Sequence, residues 1–193
     1  ILVSGTSQGT QYSRDFGGTW QVSRYSQTPI HKFYKATNNR FSWGISSNQV
    51  FLTSDVAKWF ATSGLIGVQY IRDIAEDSEG NMYVSTDKGV FWFEIALIQS
   101  FPFWRQTSPI QAFTTECYAL FSKNISSGLD EVWVSTENGI YKTTDKGETW
   151  HNTFMITANL PVYQFININK GGSYENIIGI TRKHVLRKLS SDN

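Results

Sequence analysis

Val132-Trp133-Val134-Ser135-Thr136, Glu137-Asn138-Gly139, Ile140-Tyr141-Lys142-Thr143 and Thr144-Asp145-Lys146-Gly147-Glu148-Thr149-Trp150 follow one another without a break. The first and third of these runs are short and rich in β-branched and aromatic residues, and the tight turn between them carries a glycine suited to positive φ. They read as a β-hairpin. The segment that follows has the chemistry of a second turn. An aspartate accepts backbone N–H groups from a reversing chain, a threonine hydroxyl supports it, and glycine admits the left-handed conformation. A tryptophan closing such a turn is expected to pack its ring on the base of the hairpin, burying roughly 200 Å².

Moving outward, the pattern recurs. Trp20, Trp59, Trp104 and Trp150 lie 39, 45 and 46 residues apart, within the repeat lengths of β-propeller blades. Met82-Tyr83-Val84-Ser85-Thr86, Asp87-Lys88-Gly89 and Val90-Phe91-Trp92-Phe93 make the hairpin of the preceding unit. Residues 1–5 with 10–13, 41–45 with 50–53, and 177–181 with 185–188 make three more. Strand-like runs precede four of them, at 33–37, 70–77, 118–123 and 163–169. With a short strand beside each tryptophan, a full unit holds four antiparallel strands. The chain is therefore expected to be all-β, a propeller of four-stranded blades with about 4.5 blades present. Its units fall at roughly 1–31, 32–69, 70–115, 116–161 and 162–193. Four and a half blades do not close a ring, so the chain reads as a propeller segment belonging to a longer chain.

Ser13-Arg14-Asp15-Phe16-Gly17-Gly18-Thr19-Trp20 repeats the corner, and Thr53-Ser54-Asp55-Val56-Ala57-Lys58-Trp59 gives a degraded copy. The pattern Ser/Thr-x-Asp-x-Gly-x-Thr-Trp resembles the Asp-box, or BNR repeat, of sialidases, sortilin-type receptors, polysaccharide hydrolases and photosystem-assembly factors. The turn Glu76-Asp77-Ser78-Glu79-Gly80-Asn81 resembles blades of sensor-kinase propellers. The resemblance implies that Ser13, Asp15, Gly17, Trp20, Thr53, Asp55, Trp59, Thr143, Asp145, Gly147 and Trp150 are structural staples, set on the face away from the one that binds ligands. Unit three departs from the pattern. Residues 95–103, from Ile95 to Phe103, lack the aspartate and glycine, so they form either an apolar turn for docking a protein or one folded back on its own blade.

Composition limits the partners. Lys+Arg 17 against Asp+Glu 16 gives a net charge of +1, which leaves no field for nucleic acid or an anionic membrane. Apolar runs are far shorter than the roughly 20 residues that span a bilayer, so no membrane insertion is expected. A single cysteine, Cys117, excludes an intrachain disulfide and reads as a small buried residue. No signal peptide is visible, but the sequence opens on Ile1-Leu2-Val3 without a methionine, which leaves room for a leader that was removed or is not shown. Its relatives by resemblance point to an extracellular, cell-surface or virion-associated setting.

Chemistry is sparse. A sialidase-like site would require an arginine trio, a Tyr–Glu nucleophile pair and an acidic proton donor. The seven arginines, Arg14, Arg24, Arg40, Arg72, Arg105, Arg182 and Arg187, assemble no such site by position. Asp73, Glu76 and Asp77 stand close together, but alternation spreads them over two faces and Asp77 suits a turn. His31, His151 and His184 have no ligand spacing, so no metal or cofactor is expected. Asn124-Ile125-Ser126 is a glycosylation sequon, and the Arg182-Lys183-His184 run reads as a solvated face. The remaining candidate surface is the inter-blade loops 24–31, 108–114 and 154–161 with the short turns beside them, and Arg24, Tyr25 and His31 are its candidate ligand-binding residues. The function expected is non-enzymatic recognition of a protein or glycan partner within a larger assembly. The alternative is part of a glycan-cleaving enzyme.

Overall fold

The computed structural model describes residues 1–24, 28–37, 40–98, 103–110, 116–126, 128–153, 161–169 and 175–189. Its strands form five antiparallel sheets in chain order. The first sheet holds β1 (Leu2–Thr6), β2 (Gly9–Ser13) and β3 (Gln21–Val22). The second holds β4 (Lys32–Lys35), β5 (Ser42–Ile45), β6 (Val50–Thr53) and β7 (Phe60–Ala61). The third holds β8 (Ile71–Glu76), β9 (Met82–Thr86), β10 (Gly89–Phe93) and β11 (Arg105–Gln106). The fourth holds β12 (Cys117–Ser126), β13 (Leu129–Thr136), β14 (Gly139–Thr143) and β15 (His151–Asn152). The fifth holds β16 (Gln164–Asn169), β17 (Glu175–Ile180) and β18 (Val185–Leu189). Every strand pairs with its chain neighbour, as in the blades of a β-propeller. β4, β8, β12 and β16 open their sheets, and β12 packs against β8 on one side and β16 on the other.

Apolar side chains from facing sheets fill the space between them. Val3, Ile30, Phe51 and Trp59 join the first and second sheets. Trp43, Ile45, Phe91, Phe93 and Trp104 lie in the cluster that joins the second and third. Tyr83, Val90, Cys117, Val134 and Tyr141 join the third and fourth, with Trp150 packed against them. Ala119, Trp133, Val162 and Ile177 join the fourth and fifth. Among the described residues, none of these clusters joins the first sheet to the fifth.

Each buried marker tryptophan packs towards the preceding sheet, so Trp59 is 1% exposed and Trp104 0%. Trp20 corrects the expectation that every such ring is buried, because it is 43% exposed. Among the described residues, Trp20 belongs to none of the buried clusters between sheets.

The two full corners share one network. Asp15 Oδ1 accepts the Thr19 N–H (2.8 Å) and the Ser13 hydroxyl (2.7 Å), and its Oδ2 accepts the Thr19 hydroxyl (2.7 Å). Asp145 has the same partners in Thr143 and Thr149. Ser13 and Thr143 also accept the N–H groups of Gly17 and Gly147, both left-handed at φ +97° and +87°. The degraded corner keeps the aspartate, which accepts from Ala57 and Lys58 N–H. The residue after each aspartate is also left-handed: Phe16 at φ 58°, Val56 at 60° and Lys146 at 59°. So each full corner needs two consecutive left-handed residues, and only the second is glycine.

A further device recurs at the opposite end. In every sheet a hydroxyl closes the hairpin between its long strands. Thr6, Ser46, Thr86, Thr136 and Thr181 each donate to the carbonyl three residues on. The apolar turn of the third sheet contains a 3-10 turn at Ile95–Leu97, and Ile95 and Ile98 pack on the core between the second and third sheets. Residues 99–102 of that turn lie outside the described residues. No helix among the described residues is long and apolar enough to cross a membrane.

Candidate functional site

Antiparallel pairing places the starts of β4, β8, β12 and β16 at one end of the sheets, together with the hydroxyl-closed hairpins. The corners lie at the other end. At the strand-start end a cavity of about 340 Å³ is lined by His31, Ser47, Tyr70, Ile71, Arg72, Tyr118 and Tyr163.

Register explains the convergence. Gly44, Val84, Val134 and Gly179 each stand two residues before the hairpin hydroxyl, and they pair with Phe33, Ile74, Leu120 and Phe165. Two residues before those partners are His31, Arg72, Tyr118 and Tyr163. The same position of four consecutive sheets therefore supplies four of the cavity's side chains. Two of them reach it through irregularities, since the β8–β9 register shifts between Ile71 and Asp73 and the β12–β13 register between Cys117 and Leu120. A bulge of this kind re-aims a side chain relative to strict alternation.

Arg72 and Tyr118 are in direct contact. The guanidinium carbon lies 4.9 Å from the Tyr118 ring centroid, and the Tyr118 ring meets Tyr163 edge-on at 5.4 Å. Tyr118 O–H donates to Glu116 Oε2 (2.8 Å), while Arg72 Nη2 approaches Glu116 Oε1 at 3.4 Å. Arg72 Nε is buried and has no hydrogen-bond partner among the described residues. Arg182, in the hairpin of the fifth sheet, lies over Tyr163 at 5.2 Å. Burial, then the hydrogen bond to Glu116, pushes the Tyr118 phenol up to about 12, so it stays a donor. Burial, then the charge of Lys32, lowers His31, which keeps its imidazole neutral near pH 7. Tyr70 and Tyr163 are 57% and 41% exposed, open to an incoming partner.

Of the residues singled out from sequence, His31 lines this cavity, and its N–H donates to Ile45 O (2.9 Å). Arg24 sits elsewhere, bridged through its backbone to Ala57 and Trp59 beside the degraded corner. Tyr25 lies outside the described residues, as do 111–114 of the second loop and 154–160 of the third. Sequence reasoning passed over Arg72, Tyr118 and Tyr163. The available signal was that three of the strand-like runs open on tyrosine, at 70, 118 and 163.

The carboxylates have local duties. Asp73 pairs with Lys32 and accepts the Leu120 N–H (2.9 Å). Glu76 accepts the N–H and hydroxyl of Thr37, and Asp77 accepts the N–H groups of Glu79 and Asn81 in its turn. Cys117 is fully buried, and burial pushes its thiol up to about 12. Among the described residues, no group of three or more His, Cys, Asp or Glu is placed to hold a metal ion.

A family model described as two component regulator propeller matches residues 64–88. No curated protein matches the sequence. Among solved structures, the chain is similar to the extracellular domain of BT4673 from B. thetaiotaomicron, described as a one component system. There the TM-score is 0.72 at 12% identity, covering 97% of this chain and 25% of that one. It is similar to YCF48 bound to D1 peptide, with TM-score 0.67 at 12% identity over 98% of this chain and 60% of that one. A third is the GH74 xyloglucanase from Xanthomonas campestris, with TM-score 0.62 at 15% identity over 96% and 27%. The chain thus spans between a quarter and three fifths of the length of these structures. At such identities the likeness concerns the fold, and with the sheet order above it makes this a β-propeller chain.

Proposed function

We propose that the chain is a non-enzymatic recognition module that binds a protein or glycan partner at its strand-start face. The observation that carries this reading is the convergence of His31, Arg72, Tyr118 and Tyr163, from one position in four sheets, on a single cavity. A volume of about 340 Å³ admits a side chain or a sugar ring, and tyrosine faces with fixed donors are suited to holding either. That YCF48, of similar fold, is bound to a peptide supports a protein partner. On this reading the corners are Asp-box staples that hold the chain together, and the setting is extracellular or at a surface.

The test is binding of the chain to peptide and glycan arrays. Tyr70→Ala with Tyr163→Ala is expected to lose the ligands that the unaltered chain selects. Arg14→Ala, at the corner end, is expected to keep them. Equal loss from both variants, or no loss from either, contradicts the reading.

A second reading, cleavage of a glycan, is favoured by the Tyr118–Glu116 hydrogen bond beside Arg72, the kind of pair a sialidase-like site requires. Turnover of fluorogenic sialosides that disappears in Tyr118→Phe would establish it. The raised phenol of Tyr118 argues for a donor rather than a nucleophile.

A further inference from the structure

We propose that the group recognised in this cavity is a carboxylate seated against Arg72, an inference that rests on the recognition reading above. Among the described residues, no side chain lining the cavity is acidic, and the nearby Glu116 carboxylate is engaged by Arg72 and Tyr118. Of the four that share the repeated position, His31, Arg72 and Tyr163 carry N–H or O–H donors, while the Tyr118 O–H is given to Glu116. A ligand group on this end of the axis therefore meets donors from several sheets.

Arg72 is the strongest of them and is incompletely engaged. A guanidinium has five N–H donors in a rigid plane. Among the described residues its ion pair is one Nη2 contact at 3.4 Å, and its Nε is buried without a partner. The Glu116 carboxylate meets the fork through Oε1 alone, and its other oxygen accepts the Tyr118 O–H. The guanidinium carbon lies over the Tyr118 ring, which with Glu116 holds the group in place, so an incoming carboxylate meets donors already positioned. Arg182 over Tyr163 places a second cation at the rim. A carboxylate is flat and offers two oxygens, the shape that pairs with the in-plane donors of a guanidinium.

Benzoate serves as the probe, with benzamide as its neutral counterpart, read by the His31 ring resonances in NMR titrations. Benzoate is expected to shift them saturably, at least tenfold more tightly than benzamide. Arg72→Gln is expected to lose benzoate at least tenfold, with Arg105→Gln unchanged. A measurement on the unaltered chain avoids any folding defect of the variant: benzoate should protect Arg72, and not Arg105, from phenylglyoxal modification mapped by mass spectrometry. Equal affinity for benzamide, or no protection of Arg72, overturns the proposal. An array ligand that needs Tyr70 and Tyr163 but carries no carboxylate removes the carboxylate and leaves the recognition reading standing. Benzoate binding at Arg72 by a chain whose array ligands ignore Tyr70 and Tyr163 does the reverse.

Discussion

Replacing Trp104 with alanine tests the packing on which the radial sheets depend. Trp104 is fully buried, meets Phe93 at 5.3 Å and Trp43 at 6.1 Å between ring centroids, and donates its indole N–H to Thr62 Oγ1 at 2.8 Å. These contacts tie the outermost strand of the third sheet to the second. Trp20 holds the corresponding marker position and is 43% exposed. Taking an indole side chain as about 250 Å², the two differ by about 110 Å² of burial, or about 3 kcal/mol at ~25 cal/mol per Å². A fully buried Trp→Ala change costs about 3–5 kcal/mol including its cavity. We therefore expect W104A to cost about 4–5 kcal/mol and W20A about 1–2 kcal/mol. In urea denaturation followed by circular dichroism, with a slope of about 2 kcal/mol per M, the midpoints should differ by about 1.5 M. Midpoints for the two variants within about 0.3 M of each other would refute the claim that marker tryptophans are held by the preceding sheet.

Three further outcomes follow from the backbone and the corners. Gly147→Ala should cost about 2–3 kcal/mol in the same denaturation assay, because φ is +87° and the new Cβ would lie 2.4 Å from Thr107 Cγ2. Gly67→Ala, at φ +74° with nothing within 4 Å, should cost only about 1 kcal/mol. Val56→Asn should stabilise by about 0.5–1 kcal/mol, since a β-branched residue now occupies φ 60°; a lower melting temperature would count against that strain. The third outcome concerns acid. Hydrogen bonds from the Thr19 hydroxyl and N–H and from Ser13 lower the Asp15 carboxyl to about 2. At Asp145 burial raises the carboxyl, but hydrogen bonds from Thr143 and Thr149 outweigh it and the net shift is downward. A carboxyl depressed by folding contributes stability above its unfolded value of about 3.9 and loses it as pH falls towards 2. Asp15→Asn with Asp145→Asn should flatten the loss of stability between pH 4 and pH 2 relative to the unaltered chain, and an unchanged slope would sink the argument.

The architecture was legible because its signals are local and repeated. Tryptophans at blade spacing, hairpins with a glycine turn and an aspartate between hydroxyls each act within about ten residues. The corners accordingly hold the bonds that their residue types imply, at Asp15 as at Asp145. What escaped depends on neighbours remote in sequence. Trp20 carries the same motif as Trp150, yet among the described residues Trp150 packs on a buried cluster between two sheets and Trp20 does not. Left-handed Phe16, Val56 and Lys146 have no glycine to announce them. Nor does period-2 alternation reveal the two bulges that turn Arg72 and Tyr118 towards a shared cavity. Of the candidate site His31 was found because it stands in an inter-blade loop, whereas Arg72 lies within a strand whose strict alternation carried no hint of it.

The most direct test of the account is where a bound partner sits. A crystal of the chain soaked with the tightest array-selected ligand should show it among His31, Arg72, Tyr118 and Tyr163. Density for that ligand at the corners around Asp15, Asp55 or Asp145, with the strand-start cavity empty, would contradict it.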